Sequence, residues 1–203
     1  MTQYQLSAWD LSALLPDAEA ATVEGRLQQL EADVVAFEAW RPRLDQLTPA
    51  ELRTLVQQYE AISAQAYVLS AYGSLRFAAD TQSSAAITYM NRMQQALTGI
   101  QNRLLFFDLW WKGLDDETAE GLLPSVETDA DFRFFLEDLR RTRPFTLDEK
   151  SEQIINLKDS DGMSALMTIY AMLTNRLEFK LTVDGEEQTF TRDALMGYVH
   201  SPD

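Results

Sequence analysis

The chain offers few side chains of the kinds that carry out metal or nucleophilic chemistry. It contains one histidine, His200, and no cysteine. Zinc sites with nitrogen or sulfur ligands, Ser-His relays and thiol catalysis need residue types that these 203 residues do not supply. A lone histidine at the end of a short helix is most often a surface or capping residue. We therefore predict no catalytic, cofactor-binding or metal-binding residue in this chain.

Two acidic motifs resemble parts of metal sites. Asp159-Ser160-Asp161-Gly162 is similar to the start of a calcium loop, but an EF-hand would also need ligands where Leu157 and Thr168 stand. We interpret this motif as a turn that caps the next helix. Asp115-Asp116-Glu117 could hold magnesium diphosphate, but no second acidic motif faces it. Acidic residues are common in the first turn of a helix, and we interpret Asp115-Asp116-Glu117 as such a turn.

The composition limits the classes of partner. The formal net charge is −15, from 32 acidic and 17 basic side chains. Such a surface repels phosphate backbones and anionic lipids, so we predict neither nucleic-acid nor membrane binding. The one basic cluster, Arg140, Arg141 and Arg143, is interpreted as a helix C-terminus. Without cysteine, nothing requires an oxidising compartment, and we expect a cytoplasmic location.

The sequence predicts three long helices, and these would position any functional site. Apolar residues at alternating steps of three and four predict a first helix from about Asp17 to Arg41. A second helix opens at Thr48-Pro49-Ala50-Glu51, a capping box with proline at the first helical position, and ends near Asp80. A third helix runs from about Gln82 to Gly113, and its short link to the second predicts a long antiparallel hairpin.

The third helix carries the most regular apolar stripe in the chain. We interpret the stripe as core, with a groove lined by the same side chains as the alternative. Its members are Met90, Met93, Leu97, Ile100, Leu104, Phe107, Trp111 and Leu114. On the second helix, the Ala-, Ser- and Gly-rich stretch from Ser63 to Ala79 predicts close approach of a neighbouring helix.

Shorter elements complete the chain. Helices are predicted over Asp115–Leu122 and Ala130–Arg143, and the next helix should begin with a capping box of Thr146 and Glu149. The helix after the Asp159–Gly162 turn places Leu166, Ile169, Tyr170 and Leu173 on one face.

A change to alternating residues predicts a β-hairpin turning at Asp184-Gly185, and Thr191 caps a last short helix that runs through Val199. The predicted fold is mainly α: an elongated helical bundle with a long antiparallel helix hairpin and a small C-terminal β-hairpin.

Several segments together resemble a known family. These are Trp9-Asp10-Leu11, the stretch from Tyr72 to Thr81, Phe135 to Arg141, and Arg143 to Glu152. In this combination and order they are similar to the N-terminal region of oligoendopeptidase F, within the thimet-oligopeptidase-like zinc metallopeptidases. Phe145 and Asp148 depart from the pattern, because related sequences often carry histidine and serine there.

The resemblance implies a function for a larger protein. Residues 1–190 would be the N-terminal helical domain, and residues 191–203 the start of a linker toward a missing C-terminal catalytic domain. The family's His-Glu-x-x-His motif does not occur in this sequence, so no zinc ligand or catalytic residue carries over. The domain would form one wall of a channel that admits short peptides, and we expect it to be inactive alone. Zinc is implied only for the full-length parent.

Other hypotheses follow from the residues themselves. The chain could be a stand-alone acidic helical module that binds an amphipathic helix through its apolar seam. A dimer through an exposed apolar face is a further expectation. The remaining hypothesis is a helical enzyme that uses carboxylates alone.

Overall fold

The computed structural model describes residues 9–16, 20–126 and 129–200. The predicted mainly helical architecture is confirmed, while the expected helix start at Asp17 and the side chain of His200 lie outside what is described. The elements are α1 (Ala20–Glu38), a 3-10 turn (Arg41–Gln46), α2 (Pro49–Ala79), α3 (Ser84–Gly113), α4 (Asp116–Leu122), a 3-10 turn (Leu123–Val126), α5 (Ala130–Arg141), a 3-10 turn (Arg143–Phe145), α6 (Glu149–Lys158), a π turn (Asp159–Ser164), α7 (Ala165–Thr174), β1 (Glu178–Val183), β2 (Glu186–Thr191), α8 (Arg192–Met196) and a 3-10 turn (Gly197–His200).

The α2–α3 hairpin is the longest feature of the molecule, as predicted. The Thr48 hydroxyl accepts from the Glu51 amide, and the Glu51 carboxylate accepts from the Thr48 amide at 2.9 Å, which completes the capping box. Ser83 caps α3 by accepting from the amide of Ala86. Each helix extends about 45 Å at the usual rise per residue.

The core lies between α1, α2, α3 and α5. Phe37 of α1 is fully buried and contacts the rings of Phe106 and Phe107 at 5.4 and 5.9 Å. Trp111, also fully buried, donates from Nε1 to the carbonyl of Leu136 at 2.7 Å, which ties α5 to the end of α3. The stripe predicted on α3 is therefore largely core.

Ion pairs and hydrogen bonds of charged side chains connect the helices on the outside of this bundle. The Arg103 guanidinium on α3 donates to both carboxylate oxygens of Glu38 on α1, at 2.8 and 2.6 Å, and this lowers the pKa of Glu38. The predicted basic cluster also has local partners. Arg140, in the last turn of α5, donates to the Trp111 carbonyl at 3.0 Å and pairs with Asp116.

The predicted start of α6 is wrong. Asp148, and not Thr146, is the N-cap, because its carboxylate lies where it accepts from the amides of Lys150 and Ser151 at 3.1 and 3.2 Å. Aspartate caps a helix as well as threonine does, and this one stands next to the first helical residue. The departure from serine at position 148 thus preserves the capping function.

The predicted turn at Asp159–Gly162 is also wrong, because the helix continues through it as a π turn. Gly162 does not take a left-handed conformation, and Gly185 is the positive-φ glycine of the described chain. The carbonyl of Ser160 accepts from the Gln94 side chain on α3 at 3.1 Å. A hydrogen bond from outside the helix replaces part of its internal ladder, which is a usual setting for a π turn.

The C-terminal hairpin forms as predicted. β1 and β2 are antiparallel, with Phe179 opposite Phe190. Asp184 and Gly185 have φ values of 52° and 84°, the left-handed pair that a two-residue hairpin turn of type I′ requires. Thr191 then caps α8 by accepting from the amide of Ala194.

The small-residue stretch of α2 allows close approach at one point. A Cβ atom placed on Gly73 would lie 2.9 Å from Cδ1 and 3.0 Å from Cε1 of Tyr89 on α3. The Tyr89 ring is held by an edge contact with Tyr72 at 5.4 Å and by a hydrogen bond from its hydroxyl to the Leu69 carbonyl. Glycine at position 73 is therefore set by packing between the two hairpin helices.

Replacing Gly73 by alanine should destabilise the protein by about 1–2 kcal/mol, because displacing the Tyr89 ring outweighs the gain in helix propensity. Gly99→Ala is the matched control, since Gly99 lies in α3 with no atom within 4 Å of its Cβ position. The control should stabilise by about 0.5–1 kcal/mol. Chemical denaturation measures both, and equal effects of the two substitutions would contradict the proposed packing.

Candidate functional site

A groove follows one side of α2 for much of its length. Three adjoining cavities of about 510, 430 and 310 Å³ form it. The first two share Ser70, Leu97 and Gln101, and the second and third share Tyr59 and Ser63, so the cavities follow one another along α2. We call this the α2 groove. Its α2 wall consists of Val56, Tyr59, Glu60, Ile62, Ser63, Ala66, Tyr67, Ser70 and Ser74.

The second wall of the α2 groove comes from α3. Met90 and Leu97 of the predicted apolar stripe are half-buried and line the groove, whereas Met93 and Ile100 are buried beneath it. Most of the stripe therefore lies in the core, as we interpreted it, and the side chains at its edge face a groove, which was the alternative. Polar side chains stand beside it at steps of seven residues: Gln94, Gln101 and Asp108.

The π turn and α7 close one end of the α2 groove. Met163, Ser164, Met167 and Thr168 lie opposite Ser70 and Ser74. This end is lined by thioether, hydroxyl and amide groups, and the described lining contains no charged side chain. At the other end the lining is Phe132, Phe135 and Asp131 of α5 together with Val56, Tyr59, Glu60 and Ser63 of α2.

Side-chain amides attach α6 and the end of α7 to the hairpin. Asn156 donates to the Asn102 side chain at 2.8 Å, and Gln153 and Asn102 each donate to the other's backbone carbonyl at 3.4 and 3.5 Å. Farther along, the Asn175 amide donates to the Thr81 hydroxyl at 3.2 Å. Together with the Gln94–Ser160 bond, we call these contacts the amide ladder.

The π turn keeps both ends of the amide ladder on the same side of the helix. In an uninterrupted α-helix, Asn156 and Asn175 would point about 100° apart. A π turn accommodates one extra residue, and this brings the two side chains back to nearly the same direction. The turn at Asp159–Ser164 therefore lets both ends of the amide ladder face the α2–α3 hairpin.

The opposite side of this helix is apolar and exposed. Leu166, Ile169, Tyr170 and Leu173 share one face, as predicted, but 52–63% of each side chain is open to solvent. Their orientation follows from the amide ladder, which occupies the side that packs on α3. We call the exposed set the α6–α7 face. It comprises Ile154, Leu157, Met163, Leu166, Ile169, Tyr170 and Leu173.

Asp108 is the one charged residue in the described lining of the middle cavity. Its Oδ1 atom is enclosed and has no hydrogen-bond partner within the described residues. Burial raises the pKa of the Asp108 carboxyl to about 6, although Lys112 and the Tyr59 hydroxyl act in the opposite direction. Burial, with Asp108 nearby, also raises the pKa of Tyr59. Sequence reasoning missed Asp108, and the heptad spacing of Gln94, Gln101 and Asp108 was the signal available.

The acidic motifs singled out in the sequence do not form a metal site. Asp115 caps α4 by accepting from the Thr118 amide at 2.8 Å, and Asp116 pairs with Arg140. Asp159 and Asp161 belong to the π turn. Across the described ranges, no three His, Cys, Asp or Glu side chains are grouped so that they could hold a metal ion. A search of the same ranges finds no helix with the length and apolar character needed to cross a membrane.

Asp108→Asn should stabilise the free protein at neutral pH by up to about 3 kcal/mol, since the folded state raises the pKa of this carboxyl from 3.8 to about 6. A raised carboxyl pKa means that the folded state binds the proton more tightly. The stability of the parent protein therefore falls as the pH rises from about 4 to about 6, and the advantage of the variant develops over this window. Urea unfolding at pH 3.5 and pH 7.5 measures it, and an equal difference at both pH values would contradict the assignment.

Comparison with known proteins finds a family match for one segment of the chain. Residues 110–179 match the N-terminal-domain family model that is described as oligopeptidase F. This segment runs from the last turn of α3 to the start of β1 and includes the α6–α7 face. No curated protein and no solved structure gives a significant match. Residues 110–179 are therefore similar to the N-terminal domain of the oligopeptidase F family, and the resemblance seen in the sequence is confirmed over this segment.

Proposed function

We propose that this chain is a peptide-binding wall of a zinc-dependent oligopeptidase. The observation that carries the proposal is the α2 groove, in a chain that matches the oligopeptidase F family over residues 110–179. The chain would hold short peptides beside a zinc centre supplied by a catalytic domain. It would contribute no metal ligand itself.

The dimensions of the α2 groove suit short extended peptides. From Val56 to Ser74 the α2 wall is about 27 Å long, which corresponds to roughly eight residues of extended chain. A free peptide of this length would fit in the groove. A folded protein exposes few extended segments that could enter it. Length selection by the groove is the gating role that we propose.

The lining chemistry suits peptides of varied sequence. Gln94 and Gln101 offer amide donors and acceptors to a peptide backbone, and Ser70 and Ser74 add hydroxyl groups. Methionine side chains are flexible and polarisable, so they adapt to different apolar groups. A groove of this composition would bind the peptide backbone in preference to any single side chain.

The α6–α7 face is the proposed docking surface for the catalytic domain. It lies within the segment that matches the oligopeptidase F family, and its Met163 also lines the α2 groove. A partner seated on this face would therefore stand beside one end of the bound peptide. A patch of apolar side chains exposed to this extent marks an interaction surface.

The same exposed face favours the second candidate, a stand-alone interaction module. An amphipathic helix or a second copy of this chain would cover the same apolar side chains. Sedimentation of the purified chain over a range of concentrations separates these cases. A dimer abolished by Leu166→Glu would assign the face to self-association.

Filling the α2 groove should abolish peptide binding. In Ser70→Trp and Ser74→Trp the indole occupies the uncharged end of the groove, so we expect at least a tenfold loss of affinity for an eight-residue peptide. Ala61→Trp is the matched control, because Ala61 is exposed on α2, does not line the groove and points about 160° away from Ser63. Isothermal calorimetry and amide chemical-shift mapping measure binding. Equal affinities for all three variants would contradict the proposal.

The chain alone should not hydrolyse peptides. The His-Glu-x-x-His motif that binds zinc and activates water in the family is not in this sequence. We expect no cleavage of an internally quenched fluorogenic peptide, with or without added zinc, above a buffer control. Zinc-dependent cleavage that is inhibited by a chelator and co-purifies with the chain would contradict this division of labour.

A further inference from the structure

Thioether side chains are concentrated in one cavity of the molecule. The sequence contains seven methionines and no cysteine, so thioethers are the only sulfur donors that it offers. Four of the seven line the cavity of about 510 Å³ at the closed end of the α2 groove: Met90, Met93, Met163 and Met167. Methionine often fills gaps in a core, but 64% of Met163 and 58% of Met167 is exposed to solvent. Core packing therefore does not account for the whole set.

The four methionines come in two pairs with helical spacing. Met90 and Met93 lie three residues apart in α3, and Met163 of the π turn lies four residues before Met167 of α7. Residues three or four apart are neighbours on the surface of a helix. Each of the two helices therefore presents a pair of thioethers to the same cavity.

The amide ladder holds the two pairs beside each other. Gln94, the residue after Met93, donates to the carbonyl of Ser160, three residues before Met163, at 3.1 Å. This bond fixes the π turn against α3. Metal sites in helical proteins are built in this way, from side chains on facing helices. A methionine side chain is unbranched and has three rotatable bonds, so its sulfur can adjust to an ion that enters between the helices.

The remaining lining of this cavity decides which ion would suit it. It consists of apolar, hydroxyl and amide groups, and the described lining contains no charged side chain. Calcium and magnesium take oxygen ligands that include carboxylates, and zinc is bound by cysteine, histidine or carboxylate. Soft thioether ligands select Cu(I). The net charge of −15 also attracts cations to the protein in general.

We propose that the closed end of the α2 groove binds a soft monovalent cation, Cu(I), and that the thioethers of Met90, Met93, Met163 and Met167 are its ligands. This inference does not rest on peptide binding, and the site is separate from the zinc centre of a catalytic domain. It departs from the sequence-based expectation of no metal-binding residue, which considered histidine, cysteine and carboxylate ligands.

A thioether site has a distinctive pH dependence. Thiolate, imidazole and carboxylate ligands must lose a proton before they bind a metal, so their affinity falls in acid. A thioether carries no such proton. The affinity of the proposed site should therefore be the same at about pH 5.5 and about pH 7.5, which separates it from adventitious binding to the many surface carboxylates or to His200.

Titration of the full chain with Ag(I), a soft ion without redox chemistry in water, tests the site in chloride-free buffer. Proton–carbon correlation spectra report each methionine ε-methyl group separately. The signals of the four lining methionines should shift and saturate at one ion per chain, while those of Met172 and Met196, which do not line this cavity, stay in place. Cu(I), kept reduced with ascorbate without oxygen, should be retained against a weak chromogenic Cu(I) chelator.

Leucine substitutions preserve side-chain volume and remove the sulfur. Met93→Leu and Met167→Leu should each weaken Ag(I) binding about tenfold, equivalent to about 1.4 kcal/mol. Met167 is exposed, so its replacement leaves the core intact even if Met93→Leu disturbs it. Met196→Leu is the matched control, because Met196 is 53% exposed on α8 and does not line the cavity.

Several results would overturn the proposal. These are no binding of Ag(I), equal shifts at Met172 and Met196, an affinity that falls in acid, or unchanged affinity in Met167→Leu. Zinc that moves the same four methyl signals would show that the site is not selective for a soft ion. Complete loss of Cu(I) to the weak chelator would contradict the assignment to copper.

Discussion

The amide ladder between the α2–α3 hairpin and the α6–α7 helix is the interaction on which the arrangement of the α2 groove and the α6–α7 face depends. Two apolar helices normally pack through their apolar faces, but here Asn102, Gln153 and Asn156 bond across the interface instead. These bonds fix the rotation of the helix about its own axis. Leu166, Ile169, Tyr170 and Leu173 of α7 then point outward, toward solvent or a partner.

The helix formed by α6, the π turn and α7 therefore borders the α2 groove and also carries the α6–α7 face. The π turn supplies the closed end of the groove through Met163 and Ser164, and the same helix presents Leu166 and Ile169 outward. A domain that covers the face would touch the wall of the groove. In the function that we propose, this arrangement couples peptide binding to the position of the catalytic domain without requiring any reactive group in this chain.

Sequence patterns predicted the elements whose determinants are local. The cap at Thr48, the Asp184-Gly185 turn and the Thr191 cap each act within a few residues, and the hairpins followed from them. The π turn was not predicted, and the bond that the Ser160 carbonyl accepts in it comes from Gln94, far away in sequence. Periodicity showed which residues of α7 share a face but not what that face meets. Asp108 was missed because a single polar residue beside an apolar stripe looks like a solvent-exposed position.

The orientation of α6 and α7 on α3 can be measured directly in this cysteine-free chain. Spin labels at cysteines replacing Ala64 on α2 and Lys158 at the end of α6, both exposed, report the distance between α2 and α6 by pulsed electron resonance. We expect one narrow distance distribution, which broadens and lengthens when Asn102 and Gln94 are replaced by alanine. A distribution that these replacements leave unchanged would show that the amide ladder does not hold the helix in place, and would contradict the account.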